Sequence, residues 1–291
     1  MAQSTAIQWC DSTENPTMGC SGCELWNAQR QTCYAGVLHR RFGGVSTGFA
    51  PSFHDVTAFP DRMLRASRWS DLAGKDRAEK PWLNGLPRLI FVSDMSDALS
   101  DSVEFSYLKR EIIDVVTSTN GLRHRWLWVT KRPQRMAAFS PWIERAWPEN
   151  LWIATSITTQ NTTARIKQLL SVGDAKTLRF LSVEPQWEPI RLDDWLPKID
   201  WVIQGGESGP NSHEFHIEWA ESMISQCKLH NVPYFLKQLG TNVCWKGKRK
   251  TFQHTHAGDW NEWPTNLRIR QLPIPVNRAA ILETHLSRGL S

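Results

Sequence analysis

Six short apolar segments, separated by stretches too long for hairpins, constrain this chain more than any other feature. They are Leu89-Ile90-Phe91-Val92, Trp126-Leu127-Trp128-Val129, Leu151-Trp152-Ile153-Ala154, Leu178-Arg179-Phe180-Leu181, Trp201-Val202-Ile203 and Tyr234-Phe235-Leu236. Their starts lie 37, 25, 27, 23 and 33 residues apart, the spacing of strand–helix units. Helical periods fill the gaps. Phe105, Leu108, Ile112 and Val115 share one face behind Asp101 and Glu104, which resemble a capping box. Ile217, Ala220, Ile224 and Cys227 share another, which makes Cys227 a core cysteine. Continuous apolar strands are expected where both faces of a sheet are covered. The pattern predicts an α/β fold with a parallel sheet, either a closed or partial (βα) barrel or an open doubly wound sheet.

Each strand ends in polar residues: Ser93-Asp94-Met95-Ser96-Asp97, Thr130-Lys131-Arg132-Pro133, Thr155-Ser156, Ser182-Val183-Glu184-Pro185, Gln204-Gly205-Gly206-Glu207 and Lys237-Gln238. In barrels of this kind the carboxyl ends of the strands hold the active site, so a series rich in Asp, Lys and Glu predicts one shared pocket. Two regions fall outside the rhythm. Arg40 to Pro87 carries Gly43-Gly44 and a helix expected after Pro60. Residues 241–291 form an extension beyond a barrel of residues 1–240, and could serve as a lid or a nucleic-acid contact. A first short strand is expected at Ile7-Gln8-Trp9.

Composition narrows the class. With 41% hydrophobic and 22% charged residues the chain is neither disordered nor fibrous, and no apolar run suits a membrane span. Met1 to Asp11 lacks a basic and an apolar region, so no signal peptide and a cytoplasmic location are expected. The formal charge of +5 permits a nucleic-acid partner without requiring one. Sixteen tryptophans stand against three tyrosines. Most are expected in the core, and some could stack on bases.

Four of the six cysteines, Cys10, Cys20, Cys23 and Cys33, fall at the start of the chain, which points to metal or redox chemistry. Cys20, Cys23 and Cys33 could hold an iron–sulfur cluster with one open iron. The three could also make three-quarters of a zinc site, and Cys10 could supply a fourth ligand, since Cys10-x9-Cys20-x2-Cys23-x9-Cys33 is a plausible structural zinc pattern.

A longer pattern surrounds them. Asn15-Pro16-Thr17-Met18-Gly19-Cys20, Cys33-Tyr34-Ala35, FVSDMSD at 91–97, VTKRPQRM at 129–136, LSVEP at 181–185, IDWVIQGGESGP at 199–210 and VPYFLKQLG at 232–240 follow one another in order. Together they resemble an uncharacterised, phage-associated family with a three-cysteine motif, regarded as radical-SAM-like. The resemblance runs from about Ile7 to Pro264. It implies a partial barrel of the radical SAM type with a cluster-binding loop at 15–35. Cys20, Cys23 and Cys33 would hold a 4Fe–4S cluster, and S-adenosylmethionine would chelate its open iron. Reduction would then yield a 5′-deoxyadenosyl radical that takes hydrogen from substrate, with an external electron donor and room for a partner protein. The spacing departs from the Cys-x3-Cys-x2-Cys usual in such enzymes, so zinc stays open. Cys10 stands where the family carries threonine and is left outside the cluster.

Cofactor contacts are expected from Ser93, Asp94, Asp97, Lys131 and Ser182. Gly205, Gly206 and Glu207 could bind the amino group of S-adenosylmethionine, or make a tight turn that needs paired glycines. Lys131 and Arg132 could meet an anionic group. Glu184 and Lys237 are the candidate catalytic residues; Lys237 could instead pair with Glu184 or Glu207. His213 and His216 form a weak HxxH on a loop. Lys246, Lys248, Arg249 and Lys250, flanked by Trp245, Trp260 and Trp263, form a candidate phosphate and base contact.

Two functions compete. One is a radical enzyme that modifies, rearranges or repairs a nucleic-acid base or nucleotide, as in phage DNA hypermodification. The other is a zinc-stabilised module that binds nucleic acid or a partner without radical chemistry.

Overall fold

A computed structural model describes residues 3–273. Seven strands form one parallel sheet: β1 (Ser12–Glu14), β2 (Leu89–Val92), β3 (Arg125–Thr130), β4 (Leu151–Ser156), β5 (Arg179–Val183), β6 (Trp201–Gly205) and β7 (Tyr234–Gln238). They pair in chain order from β1 to β7, and the first and last are not joined. The sheet is therefore a half-barrel rather than a closed one.

The first strand corrects the expectation. Residues 7–9 make a turn, and pairing begins at Ser12↔Ile90. Trp9 and Cys10 are instead buried in the apolar layer at the foot of the sheet. Lys80 Nζ fixes this turn by donating to the carbonyls of Thr5, Ile7 and Cys10 at 2.6–2.7 Å.

Side chains alternate between the two faces because successive residues of a strand point in opposite directions. Ile90, Trp126, Trp128, Ile153, Leu181, Val202 and Leu236 pack outward against the helices. Leu89, Leu127, Trp152, Phe180, Trp201, Ile203 and Phe235 face inward, with Trp9 and Cys10, and fill the lower half of the trough. Eight of the sixteen tryptophans are buried in this way or in neighbouring clusters.

The helix of Phe105–Val116 contains a π turn at Lys109–Ile113, which brings both Ile112 and Ile113 into the core. The capping box expected before it does not form. Asp101 is 89% exposed and faces Arg135 instead. Helix α1 (Tyr34–Phe42) follows the cysteine loop, and α2 (Pro133–Trp142) begins at the end of β3. Helix α3 (Ile217–Leu229) buries Ile217, Ala220, Met223 and Cys227. Burial pushes the Cys227 thiol up to about 12, as suits an inert core cysteine.

Beyond residue 240 the chain stays attached to the sheet. Val243–Trp245 and Lys248–Lys250 form a hairpin, and Val243–Trp245 also pairs in parallel with Phe215–His216. Further on, Ile269 and Gln271 bond along β7. Trp263 is buried, Trp260 packs on Trp82, and Arg270 lies against both indoles. These two tryptophans are structural, which corrects their expected place beside the basic segment. Residues 274–291 of the expected extension lie outside the described residues. Among the described residues, no helix is long and apolar enough to cross a membrane.

Candidate functional site

The inward-facing positions turn from large and apolar at the foot of the strands to small or polar at their carboxyl ends. By the two-residue alternation, Val129 is followed by Lys131, Ala154 by Ser156, Phe180 by Ser182 and Glu184, Ile203 by Gly205, and Phe235 by Lys237. The mouth of the trough is thus lined by the strand-end residues that the sequence singles out.

Lys237 Nζ and Glu184 Oε1 pair at 3.0 Å, and Ser182 Oγ donates to the other Glu184 oxygen at 3.3 Å. Lys237 takes Glu184 as its partner rather than Glu207. Gly205 has a packing reason to be glycine, because a β-carbon there would come within 2.9 Å of Glu184 Oε1. At Gly206 a β-carbon would stand 2.1 Å from the Leu239 carbonyl oxygen. The glycine pair therefore serves close approach between neighbouring strand ends.

On the opposite side, Asn15 Nδ2 donates to Asp94 Oδ1 at 2.5 Å, while Asn15 Oδ1 accepts from the Met95 amide. Tyr34, at the start of α1, reaches across and donates its hydroxyl to the Asp94 carbonyl. Its residue surface is 51% accessible. Burial, and then the Asp94 charge, nevertheless raise its phenol well above the ordinary range. Burial likewise raises the Asp94 carboxyl. Ser93 takes a left-handed turn (φ 70°) and is buried, so it shapes the strand end.

Over this mouth lies the cysteine loop, fixed to three different strand ends by one set of hydrogen bonds from an arginine and by two ion pairs. Arg132, after β3, donates to Ser21 Oγ at 2.6 Å and to the Gly22 carbonyl at 2.9 Å. It also approaches Cys20 Sγ at 3.7 Å. Asp97 holds that guanidinium at 3.1 Å and accepts from Thr130 Oγ1 and the Lys131 amide. With its oxygens engaged by protein donors, Asp97 positions Arg132. Second, Glu24 takes a bidentate grip from Arg165 at 2.8 and 2.9 Å, near the end of β4. Burial alone would raise its carboxyl, but Arg165 and the nearby Lys131 outweigh this and hold it at about 2. Third, Arg30 meets Glu207 at 2.6 Å beyond β6, and stacks on Trp187. Glu207 is only 4% exposed and also accepts from His213. Arg30 and His213 both engage Oε2 of the carboxylate expected to meet an amino group, while Oε1 is buried with no hydrogen-bond partner among the described residues.

Inside the loop, Trp26 packs on Phe53 and donates to His54, and Cys20 donates its amide to the Phe53 carbonyl at 2.6 Å. Gly19, at φ 87°, makes the turn into Cys20. Cys33 stands at the N-cap position of α1, where the Gly36 and Ala35 amides favour its thiolate. Burial raises the thiols of both Cys20 and Cys33, while Arg132 opposes this at Cys20 and Lys131 at Cys33. A cavity of about 580 Å³ opens on the outer side of the loop, lined by Ser21, Gly22, Cys23, Trp26 and His54.

The three thiols are not drawn together within 4.8 Å of one another. Around a single zinc ion, with Zn–S bonds of about 2.3 Å, thiolates stand about 3.8 Å apart. A cluster binds each thiolate to a different iron and needs a wider span. Cys10 lies in the apolar layer at the foot of β1, whereas Cys20 follows the head of the same strand. The fold separates it from the other three, which corrects the four-cysteine zinc arrangement.

Asn15, Glu24, Arg30, Tyr34 and Arg165 are the site residues that sequence reasoning did not single out. Asn15 and Tyr34 lie within the quoted motifs. The other three are ordinary surface charges until the chain closes on itself.

These features define a parallel α/β half-barrel whose strand ends and overlying cysteine loop make one centre. The chain belongs to a family of proteins of unknown function, DUF5131, which matches residues 4–264. No curated protein and no solved structure matches it.

Proposed function

We propose that this chain is a radical S-adenosylmethionine enzyme that modifies, rearranges or repairs a nucleic-acid base or nucleotide. The observation that carries this reading is the cysteine loop clamped across the polar mouth of the half-barrel, with Cys20 and Cys33 beside the cations Arg132 and Lys131. Cys20, Cys23 and Cys33 would hold a 4Fe–4S cluster. When bound, that cluster and S-adenosylmethionine supply a one-electron route to hydrogen abstraction.

The chain's own residues perform the rest. Arg132 and Lys131 favour the thiolate form of the loop cysteines, which burial otherwise keeps protonated. The aromatic foot of the trough keeps water from entering beneath the reacting groups. Glu184 and Lys237 present paired charges to a polar substrate, and Tyr34 and Asp94 face them across the mouth. Lys131 is placed for a carboxylate or phosphate. An external reductant is required, and the exposed side of the loop at Cys23 is where it would approach.

The test is anaerobic reconstitution with iron and sulfide, followed by S-adenosylmethionine and a reductant. The expected result is about four irons per chain and release of 5′-deoxyadenosine. A protein that takes up one zinc and no iron, or leaves S-adenosylmethionine intact with a full cluster, would overturn the proposal.

A further inference from the structure

A second group of metal-ligating side chains lies outside this centre. Phe215–His216 and Val243–Trp245 run parallel, and Cys244 is the register partner of His216. Register partners on adjacent strands present their side chains to the same face, about 4.8 Å apart at the backbone. Glu214, two residues before His216, points to that face as well. The ligand atoms of Glu214, His216 and Cys244 all lie within 4.8 Å of one another.

Three features suit these groups to an ion. Their donors are a carboxylate oxygen, an imidazole nitrogen and a sulfur, a set that favours a borderline transition metal over magnesium or calcium. Carboxylate and thiolate together neutralise a divalent charge, which matters because Arg249 is the cross-strand partner of Cys244. The positions are also rigid. His216 stands at the N-cap position of α3 with its ring 4.7 Å from Trp219, Cys244 is buried, and the Lys246 amide donates to Glu218 at 2.7 Å.

We infer that Glu214, His216 and Cys244 form a zinc-type site, completed by water, that staples the basic hairpin to the start of α3. Both strands of the site lie just beyond the mouth ends of β6 and β7, so the staple sets how Lys246, Lys248, Arg249 and Lys250 stand beside the candidate centre. His216 thus serves a site different from the HxxH suggested by its spacing to His213, which pairs with Glu207.

The inference is independent of the radical reading, and its test removes the loop thiols first. Full-length protein carrying Cys20→Ser, Cys23→Ser and Cys33→Ser is stripped of metal and titrated with Co²⁺ alone. One equivalent is expected, with a thiolate-to-cobalt absorption band that Zn²⁺ abolishes. Adding Cys244→Ser should remove the band. Adding His216→Ala or Glu214→Gln should weaken binding beyond the roughly 10–100-fold typical of losing an outer-shell partner. Circular dichroism confirms folding of each variant. A natively folded parent with no band, or a band that survives Cys244→Ser, overturns the site. Should the triple variant not fold, zinc is counted in iron-reconstituted protein instead. One zinc per chain, lost on Cys244→Ser, is expected there; its absence or persistence overturns the site.

Discussion

The foot and the mouth of the trough are built from the same strands and behave as opposites. At the foot, Trp9, Trp152, Phe180, Trp201 and Phe235 close the concave side with rings 5–6.5 Å apart where they meet. At the mouth, two to four residues further along the strands, the side chains are Lys131, Ser156, Ser182, Glu184, Gly205 and Lys237. The foot holds its shape mainly by apolar burial, with Lys80 tying its turn. The mouth is held by charge pairs, some between strand ends and some reaching the loop above it. A parallel sheet thus separates stability from chemistry along its own axis, because the alternation of faces is preserved while the side-chain type changes.

Substitutions at each end sharpen that contrast. The largest effect is expected at the loop: Cys20→Ala, Cys23→Ala or Cys33→Ala should each abolish iron uptake in a chain that still folds. Cys10→Ala should keep the iron, since Cys10 belongs to the foot, and iron analysis beside circular dichroism checks both. Next, Trp201→Ala at the foot should cost about 3–5 kcal/mol in urea denaturation while the folded fraction still takes up iron. If Trp201→Ala lost iron without losing stability, the two ends would not be separate.

Acid should release the loop before the foot. The Glu24 carboxyl is held at about 2 against an ordinary 4.5. The Arg165 pair therefore stabilises fully above pH 4.5 and loses its contribution as pH falls towards 2. The size is about 2–3 kcal/mol, and Glu24→Gln should remove this part of the pH dependence of unfolding. A smaller change follows from Lys237→Ala, which leaves Glu184 without its cation at a partly open mouth. It should cost about 1 kcal/mol or less in stability, yet reduce nucleotide affinity measurably in calorimetry.

The smallest expected effect is at the hairpin. Lys246 and Lys250 both lie over the Trp245 ring, at 5.3 and 5.2 Å, so that face already carries cations. Replacing Lys246, Lys248, Arg249 and Lys250 by Ala should flatten the salt dependence of DNA binding by about 0.7–0.9 for each phosphate that is no longer neutralised. An unchanged slope would assign any nucleotide binding to the mouth alone.

The strand–helix rhythm, the polar strand ends and the core role of Cys227 were legible in the sequence. All are local properties: a period, a spacing or a run survives whatever the rest of the chain does. The pairings were not. Arg132 finds Asp97 across 35 positions, Arg165 finds Glu24 across 141 and Arg30 finds Glu207 across 177. Each could have met several opposite charges, and only chain closure selects among them. The same holds for Cys10, which sits ten residues from Cys20 in sequence but at the other end of one strand, and for Trp260 and Trp263, which turn from the basic hairpin to Arg270. Sequence determines which residues a chain can offer to a site, through the periodicity of its backbone. Tertiary structure decides which of them meet, because a side chain's partners depend on where distant strands end.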